Sequence, residues 1–202
     1  MHRASLALSL TLVGSLLSLA PATAQESTTR GFVLGAHLGG ASITPEDGDR
    51  SSAGGGGIFL GYGFNRTVQL FLQIDGAEFD VENADIEGRW QMGHGDLGVR
   101  FHFANSLRSW VPYLQAALTG RGVSVDDAVV AGNPETDVGF YGGAFSIGAG
   151  ILFYFNETLA AELQLIGTGG RFTEVTIDNV TIDGLEIDAT SGRFNVGIAW
   201  WP

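Results

Sequence analysis

The chain has 202 residues, enough for one domain once a leader is removed, and carries 22 Asp and Glu against 10 basic residues, all of them arginine, for a net charge of −12. With no basic stripe to offset it, that balance repels a polyanion and excludes nucleic-acid binding. Cysteine is absent, which excludes disulfides, thiolate catalysis and Cys-ligated metals, and beyond residue 25 no apolar run of about 18 residues offers a membrane-spanning helix.

In chain order, the first element reads as an export signal. His2 and Arg3 form a weakly basic start, residues 4–20 an apolar stretch, and Ala22-Thr23-Ala24 a small-x-small cleavage pattern. Residues 1–24 are therefore assigned as signal peptide and 25–202 as the mature domain, beginning near Gln25. From residue 29 onward the hydrophobic period is two and nowhere helical. It predicts eight strands, over about 30–42, 54–64, 67–79, 89–103, 111–124, 139–155, 158–177 and 185–201. In the third, Val68, Leu70, Leu72 and Ile74 alternate with Gln69, Phe71, Gln73 and Asp75; in the last, Phe194, Val196, Ile198 and Trp200 alternate with Arg193, Asn195, Gly197 and Ala199. Successive side chains of a strand point to opposite faces, so each strand has an oily face and a polar or small one.

Most of these segments reach the ~9–11 residues that a tilted strand needs to cross a bilayer. Their connections alternate: Asn65-Arg66 and Asn156-Glu157 are tight, residues 104–110 intermediate, and those after residues 42, 79, 124 and 177 longer and acidic. Short turns at one end and long loops at the other predict an all-β, eight-stranded antiparallel up-and-down transmembrane β-barrel, with short periplasmic turns and longer acidic extracellular loops. The non-oily faces carry glycines such as Gly35, Gly55, Gly57 and Gly150, together with His37, Gln69, Gln73, Asp75, His94, Asp96, Arg100, His102, Arg121, Glu162 and Arg193. A soluble core could hardly bury so many polar groups, whereas the crowded lumen of a small barrel accepts them if the charges pair. Aromatic residues gather at strand ends: Phe64, Phe101, Phe103, Trp110, Phe153, Phe155, Trp200 and Trp201 by the short turns, Phe79, Trp90, Phe140, Tyr141 and Phe172 toward the long loops. They are expected to form two interfacial girdles.

Three stretches, Gly61-Tyr62-Gly63-Phe64-Asn65, Val111-Pro112-Tyr113 and the run from Gly148 to Glu162, resemble the outer-membrane β-barrel domain family, the small barrels of the OmpA/OmpX type. The resemblance spans the mature chain. It implies an outer-membrane location, outer-membrane lipid including lipopolysaccharide as surroundings, and the barrel-assembly machinery as a partner in biogenesis. The final strand, with Phe194, Gly197, Trp200 and Trp201, is similar to the C-terminal signal that this machinery reads, but departs from it in ending on Pro202. The motifs bear on fold and carry no catalytic content.

Counted from the short turns, Asp75, Asp96, Arg121 and Arg193 fall at similar depths, with Arg100 and Glu162 nearer the short-turn end. They are expected to form a structural network of paired charges that plugs the lumen; an aqueous pore lined by them is the alternative. On that reading, removing Arg121 strands a carboxylate. His94 and Asp96 share a face, but the chain lacks G-x-S-x-G, and His94 is followed by Gly95-Asp96, not by a His-x-Ser element. Spacing for a metal at His37, His94 and His102 is absent, the Gly54–Gly57 run lacks what a phosphate loop requires, and no cofactor is expected. The acidic loops are candidates for an extracellular partner, and Asp183-Gly184 predicts a tight turn whose flanking strands project beyond the membrane with an edge that can recruit another strand. The resulting reading is a non-enzymatic barrel with a structural or adhesion-like role; a small-solute pore and a lipid-modifying enzyme are the alternatives.

Overall fold

The computed structural model describes residues 29–45, 51–79, 86–103, 109–130, 136–177 and 180–202. The signal segment, its cleavage site and most of the acidic loop residues lie outside these. Eight strands follow one another: β1 (Gly31–Pro45), β2 (Ser51–Gly63), β3 (Val68–Phe79), β4 (Ile86–His102), β5 (Trp110–Val130), β6 (Thr136–Tyr154), β7 (Leu159–Ile177) and β8 (Val180–Trp200). Each pairs antiparallel with its sequence neighbour, and β1 closes the barrel on β8, from Leu34↔Trp200 to Pro45↔Ala189. Closure leaves the membrane-height wall without an edge, as a sheet in hydrocarbon requires.

Alternation sets the two faces. In β3, Leu70, Leu72 and Ile74 are exposed while Gln69, Gln73 and Asp75 are buried. Exposed Leu38 (76%) and Leu118 (71%) beside buried Arg100 (1%) and Asp96 (0%) put the polar groups inside and the oil outside. That inversion is the signature of a barrel bathed in lipid. Tight turns at 64–67 and 155–158 use one device: the Asn65 side-chain oxygen accepts from the amides of Thr67 and Val68 (2.8 Å each), and that of Asn156 from the amide of Thr158 (2.9 Å).

The far end differs from expectation. β5 runs on to Val130 and β8 starts at Val180, so length assigned to loops belongs to strands. Asp183-Gly184 does not turn the chain. Pairing continues past it to Ile177↔Val180, and the dipeptide sits in a bulge between Phe172↔Ile187 and Glu174↔Asp183, with Gly184 at φ +92°. Positive φ suits a bulge as well as a turn, which is why the dipeptide misleads. Between the apolar band and this upper end, outward-facing glycines face one another across strands: Gly40↔Gly54, Gly76↔Gly93, Gly95↔Gly120, Gly120↔Gly143 and Gly167↔Gly192.

Candidate lumen site

Inside the wall, the side chains form three layers. The floor, at the short-turn end, is an apolar cluster of Val33, Phe59, Val111, Tyr113, Leu152, Tyr154 and Trp201 with small alanines between them. The ceiling is a second cluster, Phe79, Met92, Val123, Phe172 and Ala189, against which Trp90 and Phe140 pack. Polar groups fill the space between. An upper aromatic girdle therefore does not form as expected: of its five candidates, Phe79 and Phe172 are buried in the ceiling, Trp90 and Phe140 lean on it, and Tyr141 alone is exposed (45%). At the lower end, seven of the eight aromatics do face outward, and Trp201 turns into the floor (3% exposed).

The polar layer has two centres. In the lower one, the Arg100 guanidinium donates to Glu162 (2.9 Å), Gln115 (3.0 Å) and Gln73 (3.2 Å). The rings of Phe59, Phe71 and Tyr113 surround it at 4.5, 4.8 and 4.8 Å. Tyr113 also donates its hydroxyl to Glu162. In the upper one, Arg193 meets Asp75 and lies 2.8 Å from Asp96. His37 donates to Asp75 at 2.5 Å, and Thr119 to Asp96 at 2.6 Å. Gln73, Gln164 and Asn195 join the centres: Gln73 donates to Asp75 (3.0 Å), and Asn195 to Gln164 (2.8 Å). Room for this comes from glycine. A Cβ on Gly57 would lie 2.4 Å from Asp75 Oδ1 and 2.7 Å from His37 Nε2, and one on Gly150 would lie 2.3 Å from the Tyr113 ring.

The expected layer of Asp75, Asp96, Arg121 and Arg193 needs one correction. Arg121 pairs with no carboxylate among the described residues. It donates to the backbone oxygens of Ala189 (2.9 Å) and Gly170 (2.6 Å) and lies 4.4 Å above the Phe172 ring, as part of the ceiling. Removing it therefore strands no carboxylate. Arg121→Met is expected to shift stability by no more than about 1.5 kcal/mol, since a buried cation is exchanged for an apolar side chain of similar length; urea unfolding of the refolded protein measures this. Three carboxylates (Asp75, Asp96, Glu162) face three guanidiniums (Arg100, Arg121, Arg193), so the described lumen is formally neutral and the net −12 resides outside it.

Sequence reasoning missed Tyr113, Gln115, Thr119, Ser146, Gln164, Thr168 and Asn195 as network members. Their signal was their phase: each shares its strand's inward alternation. His94 contacts Ser191 at 3.1 Å, and both side chains are buried beneath the ceiling. Among the described residues, no three His, Asp or Glu gather as a metal site. Of the C-terminal residues, Phe194 and Trp200 face outward, and Gly197 faces inward where a Cβ would lie 2.3 Å from the Ala36 oxygen.

Comparison with known proteins follows this geometry. The family model for the outer membrane protein beta-barrel domain matches residues 9–199. No curated protein matches the sequence. Among solved structures, the chain is similar to Neisserial surface protein A (16% identity, TM-score 0.63, covering 84% of this chain and 96% of that one). It is also similar to Ail, the attachment invasion locus protein of Yersinia pestis (10%, 0.54, 85% and 100%), and to OprG from Pseudomonas aeruginosa (12%, 0.54, 86% and 97%). A second Ail structure holds the heparin analogue sucrose octasulfate. A closed eight-stranded barrel with an oily exterior, matched by the family model over nearly its whole length, places the protein in the outer membrane: the chain belongs to the outer membrane protein beta-barrel domain family.

Proposed function

We propose that the protein is a non-enzymatic outer-membrane barrel with a closed lumen, acting at its outer rim in surface interaction or envelope structure. The observation that carries this is the stacking of two apolar layers above and below a polar layer in which Arg100 and Arg193 meet the buried carboxylates. Eight strands enclose a space that side chains just fill. The end with short turns faces the periplasm, and the extended end faces outward, among lipopolysaccharide. During biogenesis the outward Phe194 and Trp200, with Gly197 and Trp201, serve the assembly machinery as a recognition strand. Ail binds a sulfated ligand in its second structure. Here, the described rim exposes Glu174, Asp183, Glu186 and Asp188, and its Arg171 is engaged with Asp188 (2.7 Å). A polyanion is repelled from such a rim, and a cationic partner is favoured.

Single-channel recording from refolded protein in planar bilayers tests the closed lumen. No steady openings are expected; a reproducible conductance step would transfer the assignment to the pore. Mass spectra of lipid A from cells with and without the protein are expected to be identical, and a mass change dependent on it would make it an enzyme.

A further inference from the structure

The upper rim is uneven. β1 ends at Pro45, opposite Ala189, whereas β8 begins at Val180. From Val180 to Asp188, β8 therefore pairs with β7 on one side, except at the bulged residues 184–186, and with no described residue on the other. Measured along its partners in β7, residues 171–177, that is about 20 Å of strand with one open edge.

The faces of this edge differ. Val175↔Ile182 and Ile177↔Val180 continue the inward face, where Val175 packs on Val125 and Val138. Val180 (64%) and Ile182 (52%) remain exposed there, well beyond the last outward apolar residue of the band, Phe194. Glu174↔Asp183 and Thr176↔Thr181 lie on the opposite face. Residues 171–188 contain five Asp and Glu and a single arginine. The bulge at Asp183–Ile187 twists the edge, a device that limits indiscriminate pairing. A second copy of the chain would oppose acid with acid.

We propose that this edge, Val180–Asp188, docks an extended strand of another polypeptide, one that alternates apolar with lysine or arginine side chains. The partner's apolar residues would lie beside Val180 and Ile182 and its cations beside Asp183 and Asp188, while main-chain bonds supply the affinity. The inference rests on the surface-interaction reading and supplies its partner class.

The test uses the full barrel in lipid nanodiscs and a ten-residue peptide alternating valine with lysine. Binding, followed by fluorescence anisotropy, is expected to raise hydrogen-exchange protection at residues 180–183. The same peptide with glutamate in place of lysine is expected to bind about tenfold more weakly or worse, and a version N-methylated at alternate amides is expected to lose binding. Asp183→Lys with Glu186→Lys should reverse the preference toward the glutamate peptide, a gain that misfolding cannot imitate. If the N-methylated peptide binds as tightly as its parent, charge attraction alone is at work and the strand-addition proposal is overturned; protection appearing elsewhere also overturns it. A conducting barrel would remove the closed lumen without altering these results, and failed peptide binding would remove the edge without opening the lumen.

Discussion

Arg193→Met is expected to destabilise the barrel by about 3–5 kcal/mol, toward the top of that range, because it leaves two carboxylates buried without their cation. Arg193 is 4% exposed and serves both Asp75 and Asp96. Without it, Asp75 keeps His37 and Gln73 as donors and Asp96 keeps Thr119, which leaves two negative charges in one low-dielectric compartment. The measurement is the urea midpoint of refolded protein, with the slope unchanged so that the shift reports stability. Adding Asp75→Asn and Asp96→Asn to Arg193→Met should recover most of the loss, because the charges are gone and the amides can donate. If Arg193→Met alone unfolds like its parent, water reaches these carboxylates and the lumen is not closed.

The second large effect belongs to Arg100. Its planar guanidinium divides its donors among Glu162, Gln115 and Gln73 while its faces contact three aromatic rings. Arg100→Met should cost about 3–5 kcal/mol by leaving Glu162 charged and buried, with Tyr113 as its remaining donor. Lysine should restore less than half of this. A compact ammonium cannot reach three acceptors in one plane, nor stack between rings as guanidinium does. Glu162→Gln in the Arg100→Met background should recover stability through removal of the stranded charge. An Arg100→Lys protein as stable as its parent would show that charge alone matters and that the aromatic cage contributes nothing.

Much of this was legible in the sequence because a strand's period is two and tight turns fix register. Asn65-Arg66 and Asn156-Glu157 set the pairing of β2 with β3 and of β6 with β7, and the alternation then assigns each residue a face. Depth was harder to read. Strands in a closed barrel tilt and stagger, so equal counts from the turns do not give equal heights around the wall. Asp75, His94 and Arg121 lie in one row of cross-strand partners, yet it is Arg193, from across the lumen, that pairs with Asp75. The aromatics misled for a different reason. Phe79 shares its phase with Asp75 and Phe172 shares its phase with Glu162, so both were marked as inward by alternation while their position near strand ends suggested a girdle. Phase prevailed because a side chain cannot change face without a bulge.

Because the interior cancels its own charge, ionic strength divides the molecule in two. Mobile ions screen exposed charges over a Debye length of about 8–10 Å, so dissolved salt weakens the pull of the acidic rim on a cationic partner. With the lumen closed as proposed, the same ions have no entry between floor and ceiling, and the pairs at Arg100 and Arg193 are expected to keep their full strength. What the barrel attracts therefore varies with its surroundings, while what holds it together does not.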